Sequence, residues 1–226
     1  MINLNIDVVE KRGEFLSKGY TSISNFFKTD DVEEIYNYIS GEEPRWKTMT
    51  YQNGKFESLY QTEENREKIN INKKLALESF LRGEFSFRFD VTRCRNSVYL
   101  SDVKRFLDSE LVINFLNDIA GKNIQGLYEI MFTKYKSNDF LSNHIDEDKG
   151  KLAVTIHLTK DWKPEYGGNL HLLEEDNINI KSMFVPKFNN AILSFLPENN
   201  KEYPHFVSHV VPDLDKSRYG LVLWYK

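Results

Sequence analysis

The second half of the chain is a run of short segments in which apolar and polar residues alternate. After Gly126 there are seven such segments: LYEIMFTKYK, KLAVTIHL, NLHLLEE, IKSMFVP, AILSFL, FVSHVV and RYGLVLWYK. Turn-forming stretches such as EYGGN and PENNKEYP separate them. Because a period of two places every second side chain on the same face, each segment predicts a half-buried strand. A succession of short strands favours a β-barrel or jelly roll.

The first half has mainly helical patterns. The segment DDVEEIYNYIS places apolar residues at helical spacing, NKKLALESFLRG predicts a second helix, and SDVKRFLDSELVINFLNDIAG predicts a helix pair that ends at Gly121. One strand candidate, GEFSFRFDVTR, interrupts them. We therefore predict an α+β fold in which N-terminal helices pack on a β core. No linker separates the two parts, so residues 1–126 and 127–226 are expected to form one domain.

Charge and cysteine content limit the possible functions of the chain. Its 226 residues carry a formal net charge of −4, which does not favour binding to nucleic-acid phosphates. The one cysteine, Cys94, cannot form an internal disulfide, and no apolar run approaches the roughly 18 residues of a membrane span. No signal-peptide pattern is visible at the N-terminus. We expect a soluble cytoplasmic protein with no membrane or nucleic-acid partner.

His144 and Asp146 stand at the start of the strand-rich half, in the segment SNHIDEDKGKLAVTIHL. On a strand, side chains two residues apart lie on the same face, so these two could bind one divalent metal together. A second histidine would complete the two-histidine, one-carboxylate set of the non-haem Fe(II) oxygenases. A solvent-exposed pair in a loop is the alternative interpretation of His-x-Asp by itself.

The other four histidines differ as candidates for the third ligand. His157 and His171 each lie between two apolar residues and are expected to pack within strands. His205 and His209 both lie in YPHFVSHVVPD, and each has a valine two residues later. If this stretch is one strand, both histidines lie on the same face. Spacing alone does not choose between them.

Several motifs together resemble the Fe(II)/2-oxoglutarate-dependent dioxygenases of the prolyl hydroxylase type. They are HID at 144, LTKDWKPEYGGNLHL at 158, SHVV at 208 and RYGLVLWY at 218. The resemblance covers roughly residues 127–225. It implies a double-stranded β-helix, which is a cupin-like jelly roll, with Fe(II), 2-oxoglutarate and O2 as cofactors.

In that family a basic residue follows the distal histidine by about nine or ten positions. Arg218 is nine residues after His209 and thirteen after His205, so the resemblance implies His209 as the third ligand.

The resemblance also implies roles for individual residues. His144, Asp146 and His209 would be the catalytic metal ligands, and Arg218 would bind the distal carboxylate of 2-oxoglutarate. Tyr135 and Thr155 are further candidates for co-substrate contacts, although Tyr135 could equally be a core residue. Halogenases of this group carry a small residue in place of the carboxylate ligand. Since Asp146 is present, the resemblance favours hydroxylation over halogenation.

The chain departs from the family after the basic residue. Gly220 and Val222 stand where many relatives carry a serine or threonine, so the co-substrate pocket lacks one hydroxyl there. Trp224 stands where nucleic-acid dealkylases of the superfamily carry a second arginine, and we expect it to be a packing residue. Together with the acidic net charge, Trp224 argues against a nucleic-acid substrate.

The substrate is less well defined than the chemistry. We predict hydroxylation of an unactivated C–H bond of an amino-acid-like small molecule, because no separate peptide-binding module is visible. A peptidyl-prolyl hydroxylase, a non-catalytic metal-binding jelly-roll protein and a cupin enzyme without 2-oxoglutarate are the alternatives. Residues 43–65 could form a substrate lid, and the side chains in it that could hold a polar molecule are Arg45, Trp46, Tyr51 and Tyr60.

Overall fold

The computed structural model describes residues 1–3, 5–94, 97–197 and 203–226, which form five α-helices and twelve β-strands. The helices are α1 (Val8–Lys18), α2 (Thr29–Ser40), α3 (Arg66–Leu81), α4 (Val98–Leu107) and α5 (Glu110–Ala120). The strands are β1 (Tyr20–Ser24), β2 (Lys47–Gln52), β3 (Lys55–Tyr60), β4 (Phe87–Thr92), β5 (Leu127–Tyr135), β6 (Phe140–His144), β7 (Leu152–His157), β8 (Leu170–Leu173), β9 (Ile180–Phe184), β10 (Asn190–Phe195), β11 (His205–Val207) and β12 (Arg218–Tyr225).

All the strands belong to one curled antiparallel sheet. Its order is β1-β10-β7-β12-β5-β4-β6-β11-β8-β9, and the β2–β3 hairpin is attached to β4. Strand β12 lies between β5 and β7, and β11 lies between β6 and β8. This arrangement confirms the predicted mixed α and β fold with a jelly-roll core.

The helices cover one face of the sheet. Phe15 of α1, Ile35 of α2 and Leu116 of α5 are buried in the same cluster as Val154 of β7 and Leu221 of β12. Burial of each large apolar side chain contributes about 1.5–3 kcal/mol to folding. Since side chains alternate along a strand, the neighbours of these core residues must point to the opposite, inner face of the sheet.

The N-terminal half contains more sheet than its pattern indicates. The predicted helices correspond to α2, α3, α4 and α5, and the predicted strand GEFSFRFDVTR contains β4. The helix α1 and the strands β1, β2 and β3 were not predicted. Because β1 pairs with β10 and β4 pairs with β5, hydrogen bonds of the sheet cross the expected boundary at residue 126. The single-domain organisation of residues 1–226 stays a prediction.

Helix α4 also begins earlier than predicted. Its N-cap is Ser97, whose hydroxyl accepts a hydrogen bond from the backbone N–H of Leu100, whereas Ser101 lies inside the helix. Among the described helices, none is both long and apolar enough to cross a bilayer.

Two consecutive glycines, Gly167 and Gly168, fix the approach to β8. Gly167 has φ 71° and ψ −155°, a conformation that is essentially restricted to glycine. A Cβ atom on Gly167 would lie 1.8 Å from the carbonyl oxygen of His209. A Cβ on Gly168 would lie 3.1 Å from Cδ of Arg218. The Gly-Gly pair therefore allows the chain to pass close to both the segment after β11 and the start of β12.

We predict that Gly167→Ala lowers the free energy of unfolding by more than about 2 kcal/mol, because it adds backbone strain and an overlap with a neighbouring carbonyl. The matched control is Gly13→Ala in α1, where a Cβ would meet no atom within 4 Å. This control should be neutral or stabilising by up to about 1 kcal/mol. Urea denaturation of both variants measures the difference, and equal stabilities would contradict the prediction.

Candidate metal and co-substrate site

The inner face of the sheet lines a cavity that opens to solvent. Thr155 of β7 and Arg218 and Trp224 of β12 line it, whereas Val154, next to Thr155, and Leu223, next to Trp224, belong to the helix-covered core. Only about 70 Å³ of the cavity can hold the centre of a water-sized sphere, so the enclosed space is small. The lining is largely apolar with a few polar groups, which is typical of small-molecule sites.

Two histidines and one aspartate meet at this cavity. His144 is the last residue of β6, His205 is the first residue of β11, and the two are directly opposite each other in the antiparallel pair. The distance from Nε2 of His144 to Oδ1 of Asp146 is 3.6 Å, and that from Nε2 of His205 to Oδ2 of Asp146 is 3.8 Å. The three ligand atoms lie within 4.8 Å of one another, so one metal ion could contact all of them.

Hydrogen bonds to backbone carbonyls set the orientation of both imidazoles. Nδ1 of His144 lies 3.0 Å from the carbonyl oxygen of Ser142, and Nδ1 of His205 lies 3.1 Å from that of Tyr203. A carbonyl can only accept, so each Nδ1 carries the proton and donates it. Each Nε2 then has a free lone pair directed towards Asp146, which is the tautomer that metal ligation requires.

Burial and neighbouring charges favour the protonation states of a metal site. Burial, together with the nearby His144, lowers the pKa of His205 to about 4, although the charge of Asp146 opposes this shift. Burial by itself would raise the pKa of Asp146, but interactions with His144, His205 and Trp224 hold this pKa below its ordinary value. His205 is therefore neutral and Asp146 is ionised near pH 7.

Trp224 contacts the carboxylate directly. Its indole N–H donates a 2.8 Å hydrogen bond to Oδ2 of Asp146. Oδ1 is left as the more available oxygen for a metal ion. The expectation of a simple packing residue therefore missed a polar contact. The sequence contained a sign that Trp224 faces the cavity. Trp224 lies six residues after Arg218 in the same strand, and residues an even number apart lie on the same face.

Arg218 occupies another part of the same cavity. It is 2% exposed, its guanidinium carbon lies 4.7 Å from the ring centroid of Tyr135, and its Nε has no hydrogen-bond partner among the described residues. Burial lowers the pKa of Arg218, and the neighbouring Tyr135 opposes this shift. Tyr135 stacks on Phe89 and also lines the cavity, as does Thr155. The structure thus brings Arg218, Tyr135 and Thr155 to one cavity, while their contacts with a co-substrate stay predictions.

The structure does not bring His209 to the metal cluster, and this corrects the predicted third ligand. The ring of His209 stacks on Phe140 at a centroid distance of 4.2 Å and contacts Phe80 at 4.4 Å. His205 stands beside His144 and Asp146 in its place. The thirteen residues from His205 to Arg218 include an intervening loop, and loops accept extra residues, so a fixed spacing was a poor criterion.

The prediction that His144 and Asp146 lie on the same strand is also wrong. Strand β6 ends at His144, and Asp146 follows outside it. Strand periodicity therefore does not account for the meeting of the two side chains. A usable signal for His205 was Pro204 directly before it, since proline is confined to strand edges and starts.

The donor set fits Fe(II). Two neutral imidazole nitrogens and one carboxylate oxygen form the facial set of non-haem iron oxygenases, which leaves positions open for other ligands. A buried guanidinium with an unpaired Nε in the same cavity fits a bound carboxylate. The residues therefore suit a divalent metal together with an anionic co-substrate.

Comparison with known proteins agrees with this chemistry. The family model for the 2OG-Fe(II) oxygenase superfamily matches residues 130–226. An oxidoreductase of the 2OG-Fe(II) oxygenase family from Burkholderia pseudomallei is 12% identical with a TM-score of 0.65, covering 100% of this chain and 93% of that one. No curated protein sequence matches the chain.

Two further solved structures have a similar fold. A prolyl hydroxylase from Trichoplax adhaerens, in complex with a peptide fragment of hypoxia inducible factor, is 17% identical with a TM-score of 0.61, covering 96% of this chain and 88% of that one. A non-heme alpha ketoglutarate dependent epimerase from nogalamycin biosynthesis is 11% identical with a TM-score of 0.58, covering 97% and 82%. At these identities the structures support the fold alone. The family match confirms the predicted enzyme class and its cofactors, Fe(II), 2-oxoglutarate and O2.

We predict that His205, and not His209, is needed for metal binding. His144→Ala and His205→Ala should lose measurable Mn(II) or Co(II) binding in calorimetric titrations at neutral pH, because each removes one of three ligands. His209→Phe keeps an aromatic ring on Phe140 and should bind metal as the wild type does. Loss of metal in His209→Phe, with retention in His205→Ala, would contradict the geometry.

Proposed function

Residues 130–226 belong to the 2OG-Fe(II) oxygenase superfamily, and from this premise we propose that the protein hydroxylates an unactivated C–H bond of an amino-acid-like substrate. The observation that supports this best is that the His144–Asp146–His205 cluster and the buried Arg218 line the same cavity. The overall reaction combines substrate, O2 and 2-oxoglutarate and gives hydroxylated substrate, succinate and CO2. One oxygen atom enters the substrate and the other enters succinate.

In this proposal the chain's own residues hold and orient the reactants. His144, Asp146 and His205 would hold Fe(II), and the hydrogen bond from Trp224 would keep the Asp146 carboxylate in place. When bound, the iron supplies the O2-activating chemistry. Arg218 would pair with the distal carboxylate of 2-oxoglutarate, and Tyr135 and Thr155 lie on the same cavity wall. Met131, Leu170 and Val222 add apolar walls that exclude water.

A peptide-bound substrate is the second candidate, and one feature favours it. Tyr51, Phe56, Phe85 and Phe87 form a continuous set of ring contacts, here termed the aromatic surface. Phe56 is 53% exposed and Phe85 is 42% exposed, and the Phe85 ring lies 6.4 Å from that of His144. An exposed apolar surface beside a metal ligand suits a substrate that extends beyond the cavity.

The predicted lid, residues 43–65, contains the hairpin of β2 and β3, and its four candidate side chains lie in different surroundings. Tyr51 of β2 contributes to the aromatic surface. Trp46 is buried, with Nζ of Lys134 4.1 Å from its ring centroid, and Tyr60 is contacted by Lys47. We therefore propose that the hairpin supports the substrate through Tyr51 and Phe56. Arg45 lines a separate surface depression together with Trp46 and Tyr60.

We expect anaerobic addition of 2-oxoglutarate to the Fe(II)-loaded protein to produce the weak visible charge-transfer band of a chelated 2-oxo acid. Arg218→Met should remove the band at concentrations that saturate the wild type, because the buried cation that would pair with the distal carboxylate is gone. Arg105→Met on the exposed face of α4 is the matched control and should not change the band. If Fe(II)-loaded, folded wild-type protein gives no band, the proposed function fails. A band that Arg218→Met leaves unchanged would favour a cupin enzyme that does not need this arginine.

Succinate release should distinguish the two substrate candidates. We predict that Phe85→Ala raises KM for a peptide substrate by roughly tenfold, since about 1.4 kcal/mol of apolar contact is lost, and leaves KM for a free amino acid unchanged. Candidates would be screened as free amino acids and as short peptides with the same residue at the centre. The control is Val9→Ala, an exposed apolar residue of α1. Stimulation by free amino acids alone would exclude the peptide candidate.

A further inference from the structure

A second cavity, here termed the side cavity, meets the His144–Asp146–His205 cluster. Asp146 and His205 line both it and the main cavity, whereas Arg218, Tyr135 and Thr155 line the main cavity and not the side cavity. The apolar walls of the side cavity come from the ends of β8 and β10 and from the segment before β11, and they are Leu172, Leu173, Phe195, Leu196, Pro197 and Pro204. The side cavity is therefore a route to two ligand side chains that the groups assigned to the co-substrate do not line.

The side cavity is narrow. Only about 20 Å³ of it can hold the centre of a water-sized sphere. Since one water molecule needs about 10–15 Å³ by this measure, the space admits roughly one or two molecules of that size. An amino acid does not fit into it, but a diatomic gas does.

The lining of the side cavity suits an apolar guest and reaches the protein surface. Leu173 and Leu196 are both buried. Pro197 and Pro204 have no backbone N–H, so neither adds an unpaired donor to the wall. Lys181, which is exposed, also lines the side cavity, so the lining extends from the surface to the metal ligands.

Backbone contacts hold the walls of the side cavity in place. The N–H of Leu173 donates to the carbonyl oxygen of Pro204 at 2.9 Å, and the N–H of Phe195 donates to that of Gly19 at 3.0 Å. A Cβ on Gly19, which has φ 82°, would lie 3.1 Å from Cε1 of Tyr203, so glycine allows this ring to pass close to the start of β1. The narrow space is therefore bounded by segments that the fold fixes.

We infer that the side cavity is the path by which O2 reaches the cluster while 2-oxoglutarate occupies the main cavity. O2 is small and apolar, so it moves readily from water into an apolar space of this width. A charged co-substrate and an amino-acid-sized substrate are kept out of the same space. This inference rests on the proposed function, because it assumes that the cluster holds Fe(II) and that the main cavity binds 2-oxoglutarate.

The first test uses nitric oxide as a stand-in for O2. It is mixed anaerobically with the full chain loaded with Fe(II) and saturating 2-oxoglutarate, and the change in visible absorbance gives the association rate constant. Leu173→Phe and Leu196→Phe should each lower this constant roughly tenfold, because passage then requires repacking of the walls. Leu173→Ala, which widens the side cavity, should not lower it. The 2-oxoglutarate charge-transfer band should persist in all three variants.

The matched control is Leu111→Phe on α5, where the leucine is 53% exposed and the rate constant should not change. Xenon gives a second measurement that does not depend on iron. Crystals of the wild type under xenon pressure should contain a xenon atom in the side cavity, and crystals of Leu173→Phe should not.

The outcomes separate this inference from the proposed function. If folded Leu173→Phe and Leu196→Phe keep the charge-transfer band and bind nitric oxide at the wild-type rate, the inference is overturned and the proposed function stands. An equal fall in Leu111→Phe would overturn it as well. If both side-cavity phenylalanine variants fail to fold, the wild-type xenon experiment decides, and a side cavity without xenon overturns the inference. A wild type without the band would overturn the proposed function and this inference with it.

Discussion

The structure depends on the strict alternation of side chains along β7 and β12. In β7, Val154 and Ile156 are fully buried against the helices, while Thr155 faces the cavity. In β12, Leu221 and Leu223 belong to the same core, while Arg218 and Trp224 face inwards. A shift of one residue in β12 would place Arg218 in the helix-covered core and Leu221 and Leu223 in the cavity, and a shift in β7 would exchange Thr155 with its apolar neighbours. The register that stabilises the fold therefore also positions the groups that we assign to the co-substrate.

The cluster of His144, Asp146 and His205 depends on a second constraint, which is the pairing of β6 with β11. His144 and His205 come from the end of one strand and the start of another, and the antiparallel register places them opposite each other. Backbone carbonyls at Ser142 and Tyr203 then set both tautomers, so that the free nitrogens face Asp146. Because the orienting groups belong to the backbone, the direction of each imidazole is fixed by folding itself and not by further side chains. Trp224, from β12, joins this cluster to the strand that carries Arg218.

Much of the architecture was predictable from local patterns, whereas the choice between two nearby histidines was not. Alternation identified β5, β7 and β12, and helical spacing identified α2, because these elements each have one buried face. The hairpin β2–β3 was missed although Asn53 and Gly54 form its two-residue turn, both with positive φ, which is the expected signal for such a hairpin. The sequence did not distinguish His205 from His209 because the two differ only in tertiary position: His205 lies opposite His144, and His209 stacks on Phe140.

The inner face of the sheet carries buried polar groups that have no partner among the described residues. Arg218 and His157 are both fully or nearly fully buried, and each has at least one nitrogen without a partner among the described residues. Such groups oppose folding, and burial of an unpaired polar atom costs about 1–3 kcal/mol. The opposite face of the same strands contributes apolar residues to the large helix-covered cluster, so the unfavourable groups are held on strands that other contacts already stabilise. A carboxylate that pairs with Arg218 would remove part of this cost, and part of its binding energy would therefore come from a cation that the fold already holds in place.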